Sequence, residues 1–284
     1  MRCVDVHKAG LLVLGLLAAI GSTQSARATI DLSGVWLIIY HEEWREVGTG
    51  PDIGDYAGLP INEAARRRAL AWHPSLINQP ERQCAELPLE YTNAWSHTRI
   101  WQEYKPDSQD LLAVHIHKQY GGFERTIWMD GRPRPPKNAL HTIAGFSLGE
   151  WDGDKLKVTT THLKEGYIRR NGVPRSDKAT IVEHFIRHGD HLTISTITQD
   201  PLYLTEPRIR SSDYQLSLTQ NIGPYPCESV IELASWSKGF VPSYFPWKNP
   251  HVREFADKFG LPLEGAHAND ARHIYPQFIE PRAH

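Results

Sequence analysis

Side chains suited to acid/base chemistry are concentrated in and around one long loop, residues 164–178. A histidine beside a carboxylate exchanges protons near neutral pH, a tyrosine donates a hydrogen bond, and an arginine holds a carboxylate or an oxyanion. These groups are the parts that a cofactor-independent elimination, hydration or isomerisation needs. The residues predicted as catalytic are His162, Glu165, Tyr167, Asp177 and Glu183, and His141 and Arg169 are predicted to bind the substrate.

His162 is central to this hypothesis because of its place in the strand pattern of residues 155–163. Successive strand side chains point to opposite faces, so one face carries an apolar row that ends in the histidine. The row consists of Leu156, Val158, Thr160 and His162. We therefore expect His162 to point inward at the mouth of a pocket. The alternative is structural: the loop charges form exposed ion pairs, and His162 only hydrogen-bonds a backbone carbonyl.

Glu183 and Arg187 share one face of the next strand pattern, with Phe185 between them. If that face points inward, the two charges must pair or meet a ligand, because an isolated buried charge is costly. If it points outward, they form a surface pair. The alternation does not decide between the two faces. Arg125, on an earlier strand pattern, is predicted to bind the substrate.

Nine tryptophans exceed what packing requires of a chain of this length. Trp128 and Trp151 lie near the candidate loops and are predicted to line the substrate site, because aromatic walls suit sugar rings and planar ligands. The alternative reading is core filling, which is favoured for Trp36 and Trp128.

A metal site is a weaker alternative. His115 and His117 share one face of a strand pattern, and Glu124 follows on the next, as in a cupin-type site. The glycine spacing and the second half of a cupin pattern are missing, so two solvent-facing histidines are favoured and no metal is predicted. The chain also lacks a Gly-x-Ser-x-Gly elbow and a phosphate-binding glycine loop, and no cofactor is predicted.

The elements that would position these residues are mostly strands. Short runs alternate β-branched or aromatic residues with polar ones, and Asp152-Gly153-Asp154 and Gly189-Asp190 supply hairpin turns. Helix formers behind the candidate cap Asn62 predict a helix within 60–72, and one or two helical turns are expected near 251–259. The predicted strands are 31–40, 95–104, 113–119, 123–130, 142–151, 155–163, 180–188, 191–199, 209–218 and 228–236. The predicted fold is mainly β, an antiparallel barrel of about ten strands with one or two short helices.

Two tripeptides resemble lipocalin signatures. Gly34-Val35-Trp36 looks like the Gly-x-Trp element of a first strand, and Ser212-Asp213-Tyr214 looks like the later Thr-Asp-Tyr element. The resemblance implies a lipocalin-like up-and-down barrel that is closed at one end by the tryptophan and carries small, mostly apolar ligands. Residues 124–214, with the Asp-Gly-Arg-Pro loop at 130–133 and the Trp-Asp-Gly-Asp hairpin at 151–154, also resemble a family of exported bacterial proteins. That family implies no particular reaction.

The first residues have the three parts of a secretory signal peptide: basic Arg2 and Lys8, an apolar stretch over 9–20, and the small-residue pattern Ala26-Arg27-Ala28. We therefore expect a signal peptide over residues 1–28. Residues 29–284 are expected to form a single β-barrel domain with an irregular, aromatic and proline-rich tail. The predicted location is periplasmic or secreted, with no membrane contact after removal of the signal.

Charge and cysteine content limit the kinds of partner that the sequence predicts. Of 31 basic and 33 acidic residues, 28 and 32 lie after residue 28, so the expected mature chain has a formal charge of −4. This balance argues against a nucleic-acid partner. Cys84 and Cys227 are expected to form a disulfide in an oxidising compartment, and free or catalytic thiols are the alternative. Their wide separation does not fit structural zinc.

The function predicted from these observations is an exported barrel that binds a small, fairly apolar or aromatic molecule and acts on it as a cofactor-independent lyase, isomerase or hydratase. One alternative is a carrier that binds the same ligand without turnover. Another is a secreted carbohydrate-active lyase or hydrolase, which would need an open aromatic cleft and, for hydrolysis, two facing carboxyl groups about 5–10 Å apart.

Overall fold

A closed barrel of nine strands dominates the computed structural model, which describes residues 30–40, 50–73, 75–76, 80–85, 87–230, 239–267, 273 and 275–280. The strands are β1 Gly34–Ile39, β2 Thr98–Tyr104, β3 Leu111–Lys118, β4 Glu124–Trp128, β5 Phe146–Asp152, β6 Lys155–Thr161, β7 Gly166–Tyr167, β8 Pro174–Arg175, β9 Thr180–His188, β10 His191–Gln199 and β11 Arg208–Ser217. Strands β7 and β8 form a separate two-stranded ribbon, and the other nine close the barrel.

The order around the barrel is β1-β11-β10-β9-β6-β5-β4-β3-β2, and β2 pairs with β1 to close it. The prediction of a mainly β barrel is confirmed, with nine strands instead of about ten. Every pair is antiparallel except β4 and β5, which are parallel. The parallel pair arises because residues 129–145 carry the chain from one end of the barrel to the other before β5 begins.

The two ends of the barrel differ in their connections. At one end, short turns join β2 to β3, β5 to β6 and β9 to β10. At the other end lie the long connections 162–179 and 200–207, and we call this the loop end. Because loops carried by a rigid sheet are the usual place for binding residues, the loop end is where a site is expected.

The helices are all short. They are α1 Glu63–Leu70, α2 Pro80–Gln83, α3 Leu89–Asn93, α4 Glu254–Phe259, α5 Leu263–Ala266 and α6 Pro276–Ile279, with 3-10 turns at Pro246–Lys248 and Pro250–Arg253. The predicted helix within 60–72 is confirmed as α1, and the Asn62 side chain accepts the Ala65 N–H at 3.0 Å as the predicted cap. None of the helices in the described ranges is long and apolar enough to cross a bilayer.

Two sequence predictions fall partly or wholly beyond the described residues. Residues 228–230 of the strand predicted at 228–236 carry no strand, and 231–236 lie outside the described ranges. The predicted signal peptide, residues 1–28, also lies outside them.

The barrel core is built from the inward-facing residues of the alternating strands. Leu156 and Val158 of β6, Phe185 of β9 and Ile194 of β10 are almost fully buried with Trp36 of β1. Each such side chain stabilises the fold by roughly 1.5–3 kcal/mol when it leaves water. The period of two in the sequence is therefore what places the apolar side chains inside.

A second apolar cluster lies outside the barrel at the loop end. Ala65 and Ala69 of α1 pack there with Ile168 and Val173 of the ribbon connection and with Tyr203. This cluster fixes α1 and the ribbon to each other, which matters because both border the cleft described next.

Candidate functional site

A cleft of about 1140 Å³ opens at the loop end, outside the barrel wall. Among the described residues, its lining comes from residues 68–73 with Leu76, from 82–85 and 87–95, from Ile143, from the ribbon region 164–175, and from 225–230 and 241–243 of the C-terminal part. We call this space the outer cleft. It is not the barrel interior in which the predicted site was expected.

Aromatic rings form much of the wall of the outer cleft. Tyr91 of α3 and Tyr167 of β7 meet edge to face with ring centroids 5.4 Å apart, and Trp72 lies 6.4 Å from Tyr167. Trp95 lies 5.6 Å from Tyr91. These spacings fall in the range of favourable aromatic pairs, so the rings hold one another in place. All four residues line the cleft, so its wall is largely aromatic.

Positive charge is in excess around the outer cleft. Among the described lining residues, Arg68, Arg82, Lys164, Arg170 and Arg175 are basic, and Glu165 and Glu228 are acidic. The Arg68 guanidinium pairs with Glu165. Arg175 donates from Nε to Glu90 at 2.8 Å, in a pair that is almost completely buried beneath the cleft.

Two covalent and polar links hold the C-terminal wall of the cleft against the N-terminal one. The disulfide between Cys84 and Cys227 is present, with Cα atoms 5.7 Å apart. Beside it, the Gln83 side-chain amide donates to the Val230 carbonyl at 2.8 Å and accepts from the Val230 N–H at 2.7 Å. The predicted disulfide is thus confirmed, and it joins two stretches that both line the outer cleft.

Beneath α3, the barrel interior holds a set of buried charges that we call the inner polar network. Arg125 Nη1 donates to Glu183 Oε2 at 2.7 Å, and Asn93 Nδ2 of α3 donates to Glu183 Oε1 at 2.8 Å. The exposed fractions of the two charged side chains are 1% and 0%. The face that carries Glu183 therefore points inward, and the carboxylate meets its partner from β4 instead of Arg187.

Lys118 completes the inner polar network. Its Nζ donates to Thr98 Oγ1 at 2.6 Å and to Tyr214 Oη at 3.2 Å, and Tyr214 Oη donates to the Asn93 carbonyl at 2.8 Å. The pKa of the Lys118 ammonium is lowered to about 7, mainly by burial; Glu183 opposes this shift and nearby Arg125 adds to it. Burial also raises the pKa of the Tyr214 phenol. Helix α3 thus separates this network from the outer cleft.

Of the predicted catalytic residues, Glu165 and Tyr167 line the outer cleft together. Burial raises the pKa of the Tyr167 phenol, Tyr91 raises it further, and Arg170 opposes the shift. Tyr167 therefore stays protonated and available as a hydrogen-bond donor. Glu165 is half-exposed and paired with Arg68. These two residues are in the place where a ligand would be contacted.

His162 does not continue the inward row. Its backbone takes φ +57°, which ends the alternation, and Leu163 turns into the core with an exposed fraction of 0%. The imidazole instead hydrogen-bonds the Pro136 carbonyl through Nε2 at 3.0 Å and Thr161 Oγ1 through Nδ1 at 2.9 Å. The expectation that His162 faces a pocket is wrong, and the geometry is that of the structural alternative.

His141 and Asp177 lie on the same outer rim as His162. The two imidazoles are 5.3 Å apart, and His141 Nδ1 bonds the Leu163 carbonyl at 2.9 Å. The Lys178 ammonium, at 2.9 Å, holds the pKa of Asp177 below its usual value, and His141 adds to the effect. This group ties the 133–142 connection to the barrel rim.

The remaining predicted ligand-binding residues are dispersed. Arg169 donates to the Asp55 carbonyl at 3.4 Å, Trp151 packs against the barrel core, and Trp128 lies on the outer face of the barrel. The Arg132 guanidinium lies over the Trp128 ring, with Cζ 3.3 Å from the ring centroid. The hydrogen bond from Arg132 to Asp130 lowers the pKa of that carboxyl to about 2. The Asp-Gly-Arg-Pro loop is thus held by its own arginine.

His115, His117 and Glu124 do share the outer face of β3 and β4, as their spacing predicted. His115 Nε2 meets Glu103 at 2.7 Å, whereas His117 Nδ1 meets Glu124 at 3.2 Å. Within the described ranges, no group of three or more histidine, cysteine or acidic side chains is arranged to hold a metal ion.

Several site residues were missed from the sequence. Arg68, Trp72 and Tyr91 line the outer cleft and come from stretches that meet the 164–178 loop only in the folded chain, whereas Arg170 lies within that loop. Lys118 carried a readable signal, because it follows Val114 and Ile116 at the inward positions of β3. A lysine in an inward row predicts a buried charge that needs partners.

Comparisons with known proteins add no family to this geometry: no protein-family model, curated protein or solved structure matched the chain significantly.

Proposed function

We propose that this protein binds a small, ring-containing molecule in the outer cleft. The observation that carries the proposal is the aromatic wall, in which Tyr91 and Tyr167 lie 5.4 Å apart at a cleft of about 1140 Å³. Pockets for drug-sized ligands span about 300–1,000 Å³, so the outer cleft has room for a ligand of several rings. The resemblance to lipocalins is compatible with a binding role but places the ligand elsewhere, inside the barrel.

We propose that the protein functions outside the cytoplasm. The signal-peptide pattern of residues 1–28 supports export, and the Cys84–Cys227 disulfide is typical of an oxidising compartment. A periplasmic or secreted binding protein is the role that agrees with both features.

Binding without turnover is favoured over acid/base catalysis. An acid/base site needs its groups within hydrogen-bond reach of one substrate, at about 2.6–3.2 Å or through one water. The predicted acid/base groups are separated from one another in the structure. Glu165 and Tyr167 line the cleft, but His162 is hydrogen-bonded to the Pro136 carbonyl on the rim, and Glu183 is buried inside the barrel. The carrier alternative therefore has the better support.

The test is a binding survey with variants of the wall. Intrinsic tryptophan fluorescence and thermal shift would be measured with 2-naphthoate, 2-naphthamide, indole, glucose and glucuronate. We expect saturable binding of at least one compound, and Tyr167→Ala should weaken it about fivefold or more, because a lost aromatic contact is worth about 1 kcal/mol.

The matched control is Tyr104→Ala, which removes a half-exposed tyrosine of β2 that does not line the outer cleft. It should leave the dissociation constant unchanged. Equal effects of the two substitutions, or no saturable binding of any compound, would contradict the proposed function.

A further inference from the structure

We propose that the ligand of the outer cleft carries a carboxylate on its ring system, and that Lys164 and Arg170 bind this group. This inference rests on the proposed function and specifies the chemical class of the ligand. It begins from the charges around the cleft, five basic against two acidic among the described lining residues. The whole chain has a formal net charge of −2, so the excess at the cleft is a local feature.

The charged lining residues are not equivalent, because some are already paired. Arg175 is held by the buried Glu90, and Arg68 is held by Glu165. These two cations have their counter-charge within the protein. Glu228 is the remaining acidic residue of the lining, and it stands on the C-terminal wall near the disulfide.

Among the described residues, Arg82, beside the disulfide, has no ion pair, and neither do Lys164 and Arg170. Lys164 and Arg170 flank the ribbon residue Tyr167 in sequence, and all three line the outer cleft. The Arg170 charge also opposes the rise in the Tyr167 pKa. An unpaired guanidinium and ammonium thus stand beside the aromatic wall.

This combination fits a ring that bears a carboxylate. A guanidinium presents a planar fork that matches a carboxylate with two parallel hydrogen bonds, and an ammonium adds a point charge. The Tyr167 hydroxyl, which burial keeps protonated, can donate a further hydrogen bond to the same group. The ring of the ligand would then lie against the aromatic wall, which includes Trp72 and Tyr167. An aromatic acid and a sugar acid share this chemistry.

The experiment compares matched probes in which one carboxylate is replaced by a neutral group. Titration calorimetry or fluorescence would give dissociation constants for 2-naphthoate against 2-naphthamide, and for glucuronate against glucose. We expect the acid of at least one pair to bind about tenfold more tightly than its neutral partner, as charge-assisted hydrogen bonds of this kind typically provide. The preference should shrink as salt is raised, because these side chains are at least partly exposed. The pair of probes that shows this preference identifies the ring of the ligand as an aromatic ring or a sugar ring.

Substitutions test whether the preference for the acid comes from Lys164 and Arg170 or from the surface charge in general. Lys164→Gln and Arg170→Gln should each remove most of the preference for the acid. Lys178→Gln is the control, because Lys178 is an exposed lysine that pairs with Asp177 and does not line the cleft. It should change neither dissociation constant.

The outcomes distinguish this inference from the proposed function. If the neutral probe binds as tightly as its acid, or if the glutamine variants keep the full preference, the carboxylate assignment is overturned while the cleft remains a binding site. If none of the four probes binds and Tyr167→Ala has no effect in the wider survey, the proposed function itself fails, and the assignment falls with it.

Discussion

At the scale of single residues, the unusual feature is charge inside the barrel. Arg125 and Glu183 form a buried pair within the inner polar network, and Asn93 satisfies the second carboxylate oxygen. Removing one partner of such a pair typically costs about 3–5 kcal/mol, because the other charge is left without compensation. Arg187, which shares a face with Glu183 in the sequence, instead lies over the Trp36 ring at 5.2 Å. The ion-pair partner of Glu183 therefore comes from β4, which the closed barrel brings near it, and not from its own strand.

Lys118 should make the stability of the protein depend on pH. Its pKa is about 7 in the folded protein and near 10.5 in the unfolded chain, so between these values the unfolded chain binds a proton that the folded protein does not. Stability therefore rises with pH across this window, by up to about 1.4 kcal/mol per pH unit, and the full destabilisation is present below pH 7. Urea unfolding at pH 7, 8 and 9 measures the slope.

Lys118→Met should flatten this pH dependence, because a side chain of similar length without a charge occupies the same space. Lys157→Met is the matched control, since Lys157 is a partly exposed lysine that pairs with Glu150 on the barrel surface. It should leave the slope unchanged. The measurement stays below pH 9.5, because the raised pKa of Tyr214 gives an opposite trend at higher pH. A slope that persists in Lys118→Met would show that other groups cause it.

At the scale of elements, the ribbon of β7 and β8 decides the shape of the outer cleft. Its turn residue Gly172 has φ +94°, and a Cβ atom there would lie 2.5 Å from Trp72 Cβ. Gly172→Ala should therefore displace Trp72, a residue of the aromatic wall. We expect a loss of unfolding free energy about 1–3 kcal/mol larger than that of Gly153→Ala, together with weaker ligand binding.

Gly153→Ala is a close control for this substitution. Gly153 also has positive φ, at +66°, but a Cβ atom there would meet nothing within 4 Å. It should carry only the backbone cost of about 1–2 kcal/mol and leave binding unaffected. If both variants lose the same stability and both bind normally, the contact between Gly172 and Trp72 does not shape the cleft.

The elements also show which parts of this structure a sequence can predict. The hairpin of β9 and β10 was predicted with its bounds, because both strands alternate and Gly189-Asp190 marks the turn. The parallel pairing of β4 and β5 was not, since it depends on the path of residues 129–145. His162 was misplaced for a local reason: one residue with φ +57° ends the period of two, and no residue type signalled it.

The candidate site divides in the same way. Glu165 and Tyr167 were found because a long, charged loop is itself a functional signal. The other walls of the outer cleft could not be found, because they lie about 100 residues before or 60 residues after that loop and meet it only through tertiary packing. Local patterns reveal what a segment offers, whereas a cleft is a property of several segments at once.

At the scale of the whole molecule, the Cys84–Cys227 disulfide connects distant parts of the chain. The two cysteines are 143 residues apart, and the entire barrel from β2 to β11 lies between them. In the chain-entropy account, closing a loop of this length stabilises the folded protein by up to about 5 kcal/mol. The same bond holds residues 82–85 and 225–230 together as two walls of the outer cleft. Both the stability of the protein and its ligand binding should therefore depend on this disulfide.

Replacing both cysteines by serine should consequently lower the unfolding free energy and weaken ligand binding, while the β-sheet signal in circular dichroism is retained. Adding reductant to the wild-type protein should reproduce both effects, and the double variant should be insensitive to reductant. Gln83→Ala provides a comparison, because it removes the two hydrogen bonds to Val230 but keeps the covalent bond, and its effect should be smaller. Two alkylatable thiols in the purified native protein would contradict the disulfide. Full ligand affinity in the double variant would show that the bond stabilises the chain without shaping its cleft.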